Sequence, residues 1–245
     1  NFIVNKANIY DFDNASRFIS SWQPYNGVQL HGLEAVLNPW NIVLGLAVLF
    51  LARVTALLYF INNIDDTAAQ QRARKELPLN AILFVVLFVA YVIFLLLKSG
   101  LRYDPATGQF AEEQFLYLHN FLQMPVVLIF FLVGVLLVLY GIGATIFKKG
   151  YRKGIWFEGI GVVLAVLGLL LVAGWNNTAY YPSLADPQSS LCLANSSSSP
   201  YTLKVMSFVS ILVPFVVAYI WYCWRAIDVR RITRKEMENE DRTAY

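Results

Sequence analysis

Few residues in this sequence could do redox or group-transfer chemistry, and they are scattered. His31, His119, Met124 and Met206 are of types that ligate haem iron. Both histidines fall in segments outside the apolar runs, and Met124 and Met206 fall near the ends of such runs. Met206 reads first as a flexible apolar side chain near a helix end. The two cysteines, Cys192 and Cys223, bracket an apolar run, so they belong on opposite faces of a membrane and cannot form a disulfide with each other. No CxxC or Cys/His cluster is present, so no zinc or iron–sulfur site is implied. No glycine-rich phosphate loop, nucleophile–histidine arrangement or pair of facing carboxylates is visible. The residues assign no catalytic, cofactor-binding or metal-binding position. On its own residues the chain reads as a scaffold.

Two charges stand inside apolar runs. Arg53 lies about 12 Å from one end of the first run at helical rise, and Glu158 about four residues inside the fourth. A charge at the centre of a membrane helix costs about 2.5–3.5 kcal/mol on insertion scales, so it tends to face protein and find a partner. Three readings stay open. Arg53 and Glu158 form an intramembrane ion pair that orients the bundle; they take part in proton delivery; or Glu158 reaches the headgroups while Arg53 snorkels.

The elements that hold these residues are membrane spans. Of 245 residues, 58% are hydrophobic and only 14% charged, whereas a soluble domain carries about 25% charged residues. The shortfall is concentrated in five runs of about 20 residues each, the length that crosses a hydrocarbon core of about 30 Å. The expected spans are 40–61, 79–97, 126–147, 155–175 and 205–224. Asn38 is a suitable N-cap with Pro39 at the first helical position, and Pro78 sits just inside the second span. The fold class is therefore all-α, a polytopic transmembrane helix bundle with five spans. Residues 1–38 read as an extracytoplasmic segment in which Leu30, Leu33 and Leu37 suggest a short surface helix. Residues 176–203 read as an irregular outer loop and 225–245 as a cytoplasmic tail.

Charge fixes the orientation. The segment 62–76, the turn after Phe147 and the tail carry thirteen of the nineteen basic residues, among them Arg72, Arg74, Lys75, Lys148, Lys149, Arg152 and Lys153. The positive-inside rule puts these in the cytoplasm, with Asn1 outside and Tyr245 inside. The net charge of +3 is too small to suggest nucleic acid.

Small residues indicate how the helices pack. Gly154, Gly161, Ala165 and Gly168 form one stripe on the fourth span, and Gly134 and Gly141 another on the third. A turn of about seven residues makes these helices antiparallel neighbours, so the two stripes should face each other or a third helix.

One stretch is specific. SSSPYTLKVM, from Ser197, leads into a span with Val213-Pro214 in its middle and leaves through WYCW into Arg225 and the tail RITRKE. This resembles the last membrane helix of subunit II of the bacterial cytochrome bd quinol oxidases. LNPW at Leu37–Trp40 opens a span much as LNPF does in that family. The resemblance implies part of a nine-helix subunit, here the second four-helix bundle plus one extra helix, with about four further helices ahead of Asn1. It implies a heterodimer in the bacterial cytoplasmic (inner) membrane with a haem-bearing subunit I. That partner carries haem b, haem d and the quinol site, and the complex oxidises quinol, reduces dioxygen to water and generates proton-motive force. The resemblance carries no haem ligand or catalytic residue onto this chain, whose own partners are subunit I, quinol and membrane lipid. The alternative is a membrane scaffold or transporter subunit with no redox role. The transporter is disfavoured because the spans lack a polar lining or a broken pair of helices.

Overall fold

A computed structural model describes residues 1–7, 17–228 and 232–233 of the chain. Eight helices carry most of them. These are α1 Pro39–Asn63, α2 Thr67–Leu97, α3 Leu116–Gln123, α4 Pro125–Phe147, α5 Gly154–Gly174, α6 Leu193–Ser196, α7 Pro200–Ser210 and α8 Val213–Asp228. The strands pair in three small ladders. Strand β1 (Phe2–Ala7) pairs antiparallel with β2 (Arg17–Trp22), and β4 (Gly100–Asp104) with β5 (Gln109–Glu113). The two-residue strands β3 (Ile64–Asp65) and β6 (Ile232–Thr233) pair in parallel. Five helical segments are long and apolar enough to cross a membrane: α1, α2, α4, α5 and the combined α7–α8 over Pro200–Ile227.

Local chemistry explains where the helices start and break. Asn38 accepts a hydrogen bond from the Trp40 N–H at 3.0 Å, and Pro39 opens α1. Helix α2 begins twelve residues ahead of the expected span and takes in most of the segment 62–76. Asp66 caps it, accepting from the Ala69 N–H at 2.7 Å, and the run TAAQQRARKEL consists largely of strong helix formers. Pro78 consequently lies inside the helix, not at its start. It leaves the Arg74 carbonyl without its helical donor. Nearby, the Asn80 amide turns back onto the Glu76 carbonyl at 2.8 Å.

The last span is two helices. Pro214 cannot donate to the carbonyl four residues back, and the chain tightens ahead of it. The Ile211 and Leu212 N–H groups bond to the Phe208 and Val209 carbonyls, three residues back, at 3.2 and 2.9 Å. Within the segment 1–38 a five-residue 3₁₀ helix runs over Leu33–Leu37, with Leu33 and Leu37 exposed. Residues 8–16 of the segment 1–38 lie outside the described residues. So do residues 229–231 and 234–245 of the expected tail, with Arg230, Arg231, Arg234, Lys235 and Arg242.

The chain divides into two compact units. The first comprises Asn1–Leu49, Leu83–Leu136 and Gly161–Ser196. Its apolar core gathers Leu95 of α2, Tyr117 and Phe121 of α3, Phe131 of α4, and Ala165 and Val172 of α5. Trp40 stacks on Phe94 with ring centroids 4.1 Å apart. The loop after α5 is pinned by side chains. The Gln188 amide both accepts from the Phe110 N–H and donates to the Phe110 carbonyl, each at 2.8 Å, and so mimics a further strand beside β5.

The second unit comprises Phe50–Ile82, Leu137–Ile160 and Ser197–Tyr245. Val54, Leu58, Ile61 and Leu77 are fully buried there. Helices α7 and α8 are exposed along nearly their whole length, Cys223 being partly covered.

The glycine stripes of α4 and α5 meet each other. In the first unit a Cβ on Gly134 would stand 2.5 Å from the Ala165 nitrogen and 2.7 Å from the Gly161 carbonyl oxygen, and one on Gly168 would stand 2.9 Å from the Phe131 Cβ. In the second unit a Cβ on Gly141 would stand 2.6 Å from the Gly154 carbonyl oxygen. These obstacles are mostly backbone, which cannot swing aside. Gly134→Ala should therefore cost about 1–3 kcal/mol of overpacking, read as a lower thermal unfolding midpoint of the purified membrane complex. Gly159→Ala, whose Cβ would meet nothing within 4 Å, should leave the midpoint unchanged or slightly raised.

Candidate functional site

The buried polar side chains mark where the sequence departs from a plain apolar bundle. In the second unit α5 carries Glu158, whose side chain has no solvent exposure. The Thr55 hydroxyl of α1 lies 2.6 Å from Glu158 Oε1 and 3.0 Å from the Leu51 carbonyl oxygen one turn back. Glu158 Oε2 is buried and has no hydrogen-bond partner. Gly141 of α4 backs the site: a Cβ there would stand 2.9 Å from the Glu158 nitrogen and 3.1 Å from its Cβ.

The structure does not bring Arg53 to Glu158. Arg53 is on the exposed side of α1, while Thr55, two residues on, turns to Glu158. Two residues advance a helix by about 200°, so one helix cannot aim both side chains at the same neighbour. The intramembrane pair is thus replaced by a hydroxyl–carboxyl contact. The signal in the sequence was Thr55, the one serine or threonine in the apolar run 40–61, which Arg53 overshadowed.

Arg74 holds a second polar station of the same unit. Its Nη1 donates to the Thr145 carbonyl at 2.9 Å and its Nη2 to the Tyr151 carbonyl at 2.7 Å. Thr145 is in the last turn of α4, where carbonyls lack helical donors, and a cation there also meets the negative end of the helix dipole. The guanidinium thus closes the end of α4 and the turn into α5 with one fork. Arg152 reaches Asp65 at 3.3 Å.

The first unit has its own polar knot around Asn120 of α3, which is fully buried. Its amide nitrogen donates to the Val172 carbonyl at 3.0 Å and to the Thr178 hydroxyl at 2.7 Å. Its oxygen accepts from Arg102 Nη2 and from the Asn176 amide, each at 3.0 Å. Arg102 is in turn paired with Glu113 at 2.8 Å, and Glu113 also meets His119 Nδ1 at 2.7 Å. Burial pushes the neighbouring Tyr117 hydroxyl above its ordinary pKa. In the β4–β5 turn the Ala106 N–H and Thr107 hydroxyl hold the Asp104 carboxyl below its usual range.

Among the described residues His31, His119, Met124 and Met206 do not come together. His31 is exposed and lies edge-on to Trp22, His119 is held by Glu113, Met206 is exposed, and Met124 packs against the core at the α3–α4 junction. A cleft of about 310 Å³ lined by Phe2, Trp22, Tyr181 and Leu191 carries neither His nor Met. These residues do not fit an axial ligand set. Cys192 and Cys223 are free thiols. Among the described residues no group of three or more His, Cys, Asp or Glu is placed to hold a metal ion.

A sequence model of one family, described as cytochrome bd terminal oxidase subunit II, matches residues 15–227. The chain belongs to that family. No curated protein sequence matches it. The cytochrome bd family is that of a quinol oxidase complex, an oxidoreductase that uses haem, and its subunit II is one member of an assembly. The five long apolar helices of this family member make it a multi-pass membrane protein.

The polar stations give two stability predictions. Arg74→Ala should lower stability by about 1.5–3 kcal/mol, the worth of hydrogen bonds from a charged group, while Arg74→Lys, with a point charge and no fork, should recover only part. Asn120→Leu should cost about 1–3 kcal/mol because it leaves the buried Thr178 hydroxyl and Val172 carbonyl without their partner. Thermal unfolding of the complex reads both.

Proposed function

We propose that this chain is the haem-free subunit II of a bacterial cytochrome bd-type terminal oxidase. It supports a haem-bearing subunit I that oxidises quinol, reduces dioxygen to water and contributes to proton-motive force. The family match across 15–227 carries the reading. The scatter of His31, His119, Met124 and Met206 supports assigning the haems and the quinol site to the partner. The distribution of Arg72, Arg74, Lys75, Lys148, Lys149, Arg152 and Lys153 supports placement in the cytoplasmic membrane with these residues inside, Asn1 outside and Tyr245 inside.

The test is purification of the oxidase from cells that make this protein with its haem-bearing partner, and from cells that make the partner alone. Quinol-dependent oxygen consumption should require both. A partner that consumes oxygen at the full rate without this chain would overturn the reading. In the intact complex, His119→Ala and Met206→Leu should leave the haem content per complex and the reduced-minus-oxidised haem spectrum unchanged. Loss of a haem band in either variant would move a ligand into this subunit.

A further inference from the structure

The contact between Glu158 and Thr55 has too few hydrogens if the carboxyl is ionised. Thr55 owns one hydroxyl proton, yet its oxygen lies within bonding distance of two acceptors, the Leu51 carbonyl at 3.0 Å and Glu158 Oε1 at 2.6 Å. A carboxylate only accepts, so one of the two contacts would lack a proton. Its second oxygen, Oε2, would also be a buried anionic atom with no donor.

Among the described residues no cation answers that charge. Arg53 is exposed. Arg74 is committed to the Thr145 and Tyr151 carbonyls, and Arg152 to Asp65. Lys148 stands over the Tyr140 ring on α4, and Lys153 is exposed. The Thr145 hydroxyl donates to its own Gly141 carbonyl at 2.8 Å and offers nothing to α5.

We propose that Glu158 is a proton-binding site, occupied at neutral pH, whose carboxylic acid O–H donates to Thr55 while Thr55 donates to the Leu51 carbonyl. Every hydrogen then has one acceptor. The 2.6 Å separation falls in the range of an O–H···O bond. Oε2 becomes the carbonyl oxygen of a neutral acid, which apolar surroundings tolerate far better than an anion. The site lies about 6 Å along α5 from its first residue, inside a membrane-spanning helix. It therefore stores a proton within the span with no counter-charge among the described residues. The inference stands on this chain's own geometry and does not depend on which partner bears the haems.

Infrared spectroscopy of the intact complex tests it, with glutamate carboxyl-labelled by carbon-13 to identify the bands. At neutral pH, Glu158→Gln should remove one C=O stretch of a protonated carboxylic acid. Thr55→Val should keep that band and move it to higher frequency, because the acid loses the acceptor of its O–H. If Glu158→Gln instead removes carboxylate stretches and leaves the acid region intact, the proposal fails. Thr55→Val retains the carboxyl and tests the site alone should the glutamine variant not assemble. An acid band that it leaves unmoved, or a change confined to the carboxylate region, would overturn the proposal.

Discussion

Apolar side chains gain nothing from leaving lipid for one another, and that constraint governs this structure. Within the most apolar window of each spanning helix the buried share runs from 17% to 28%, and for α7–α8 it is 0%. So little covered surface cannot hold the helices together through area alone. What remains is close approach of backbones and a small number of polar bonds. The meeting of α4 and α5 supplies the first, because Gly134 faces the Gly161 carbonyl and the Ala165 nitrogen, and Gly141 and Gly154 each face the other's carbonyl. A soluble protein could offset a lost close contact with more buried apolar area; a bundle in lipid has no such reserve.

Backbone polar groups obey the complementary constraint. A carbonyl or N–H without a partner in hydrocarbon costs several kcal/mol, so irregular backbone has to carry its own bonds. The exceptions to ladder bonding are met individually. Arg74 serves the last turn of α4, the Asn80 amide lies beside the fault made by Pro78, and 3₁₀ bonds at Ile211 and Leu212 close the chain ahead of Pro214. The loop after α5 follows the same rule outside the spans, where Gln188 acts as a strand and Asn120 gathers four bonds.

Features that depend on composition over about 20 residues were therefore legible in the sequence, and those that depend on single long-range partners were not. The five apolar runs, the Asn38–Pro39 start and the facing glycine stripes could be read because hydropathy, capping and residue size act locally. The early start of α2 lies outside the apolar run, where hydropathy gives no signal, although Ala, Gln, Arg, Lys and Glu favour helix. The β4–β5 hairpin was missed because a short alternating pair beside a strong span gives a weak signal, even with the Asp-Pro-Ala-Thr-Gly turn between its strands. Glu158 stood out by charge. Its partner did not, since a threonine 103 positions away is one of many hydroxyls until the helices are packed. Arg53 drew the eye because opposite charges suggest a pair, and the helical phase of α1 rules that pair out.

The packing constraint and the carboxyl site are one arrangement. A side chain at position 141 would collide with the backbone and Cβ of residue 158, so the absence of one at Gly141 lets α4 close over Glu158. That closure excludes solvent from the carboxyl and leaves Thr55, among the described residues, as its polar neighbour in bonding range. A wider helix separation would admit water, hydrate Oε2 and favour the anion. A narrower polar setting, with a cation turned inward, would favour it too. Glycine spacing therefore does more than join two helices. It sets the dielectric and the bonding partners of the one carboxyl inside a described span that is wholly shut off from solvent, and so fixes the protonation state in which that carboxyl is held.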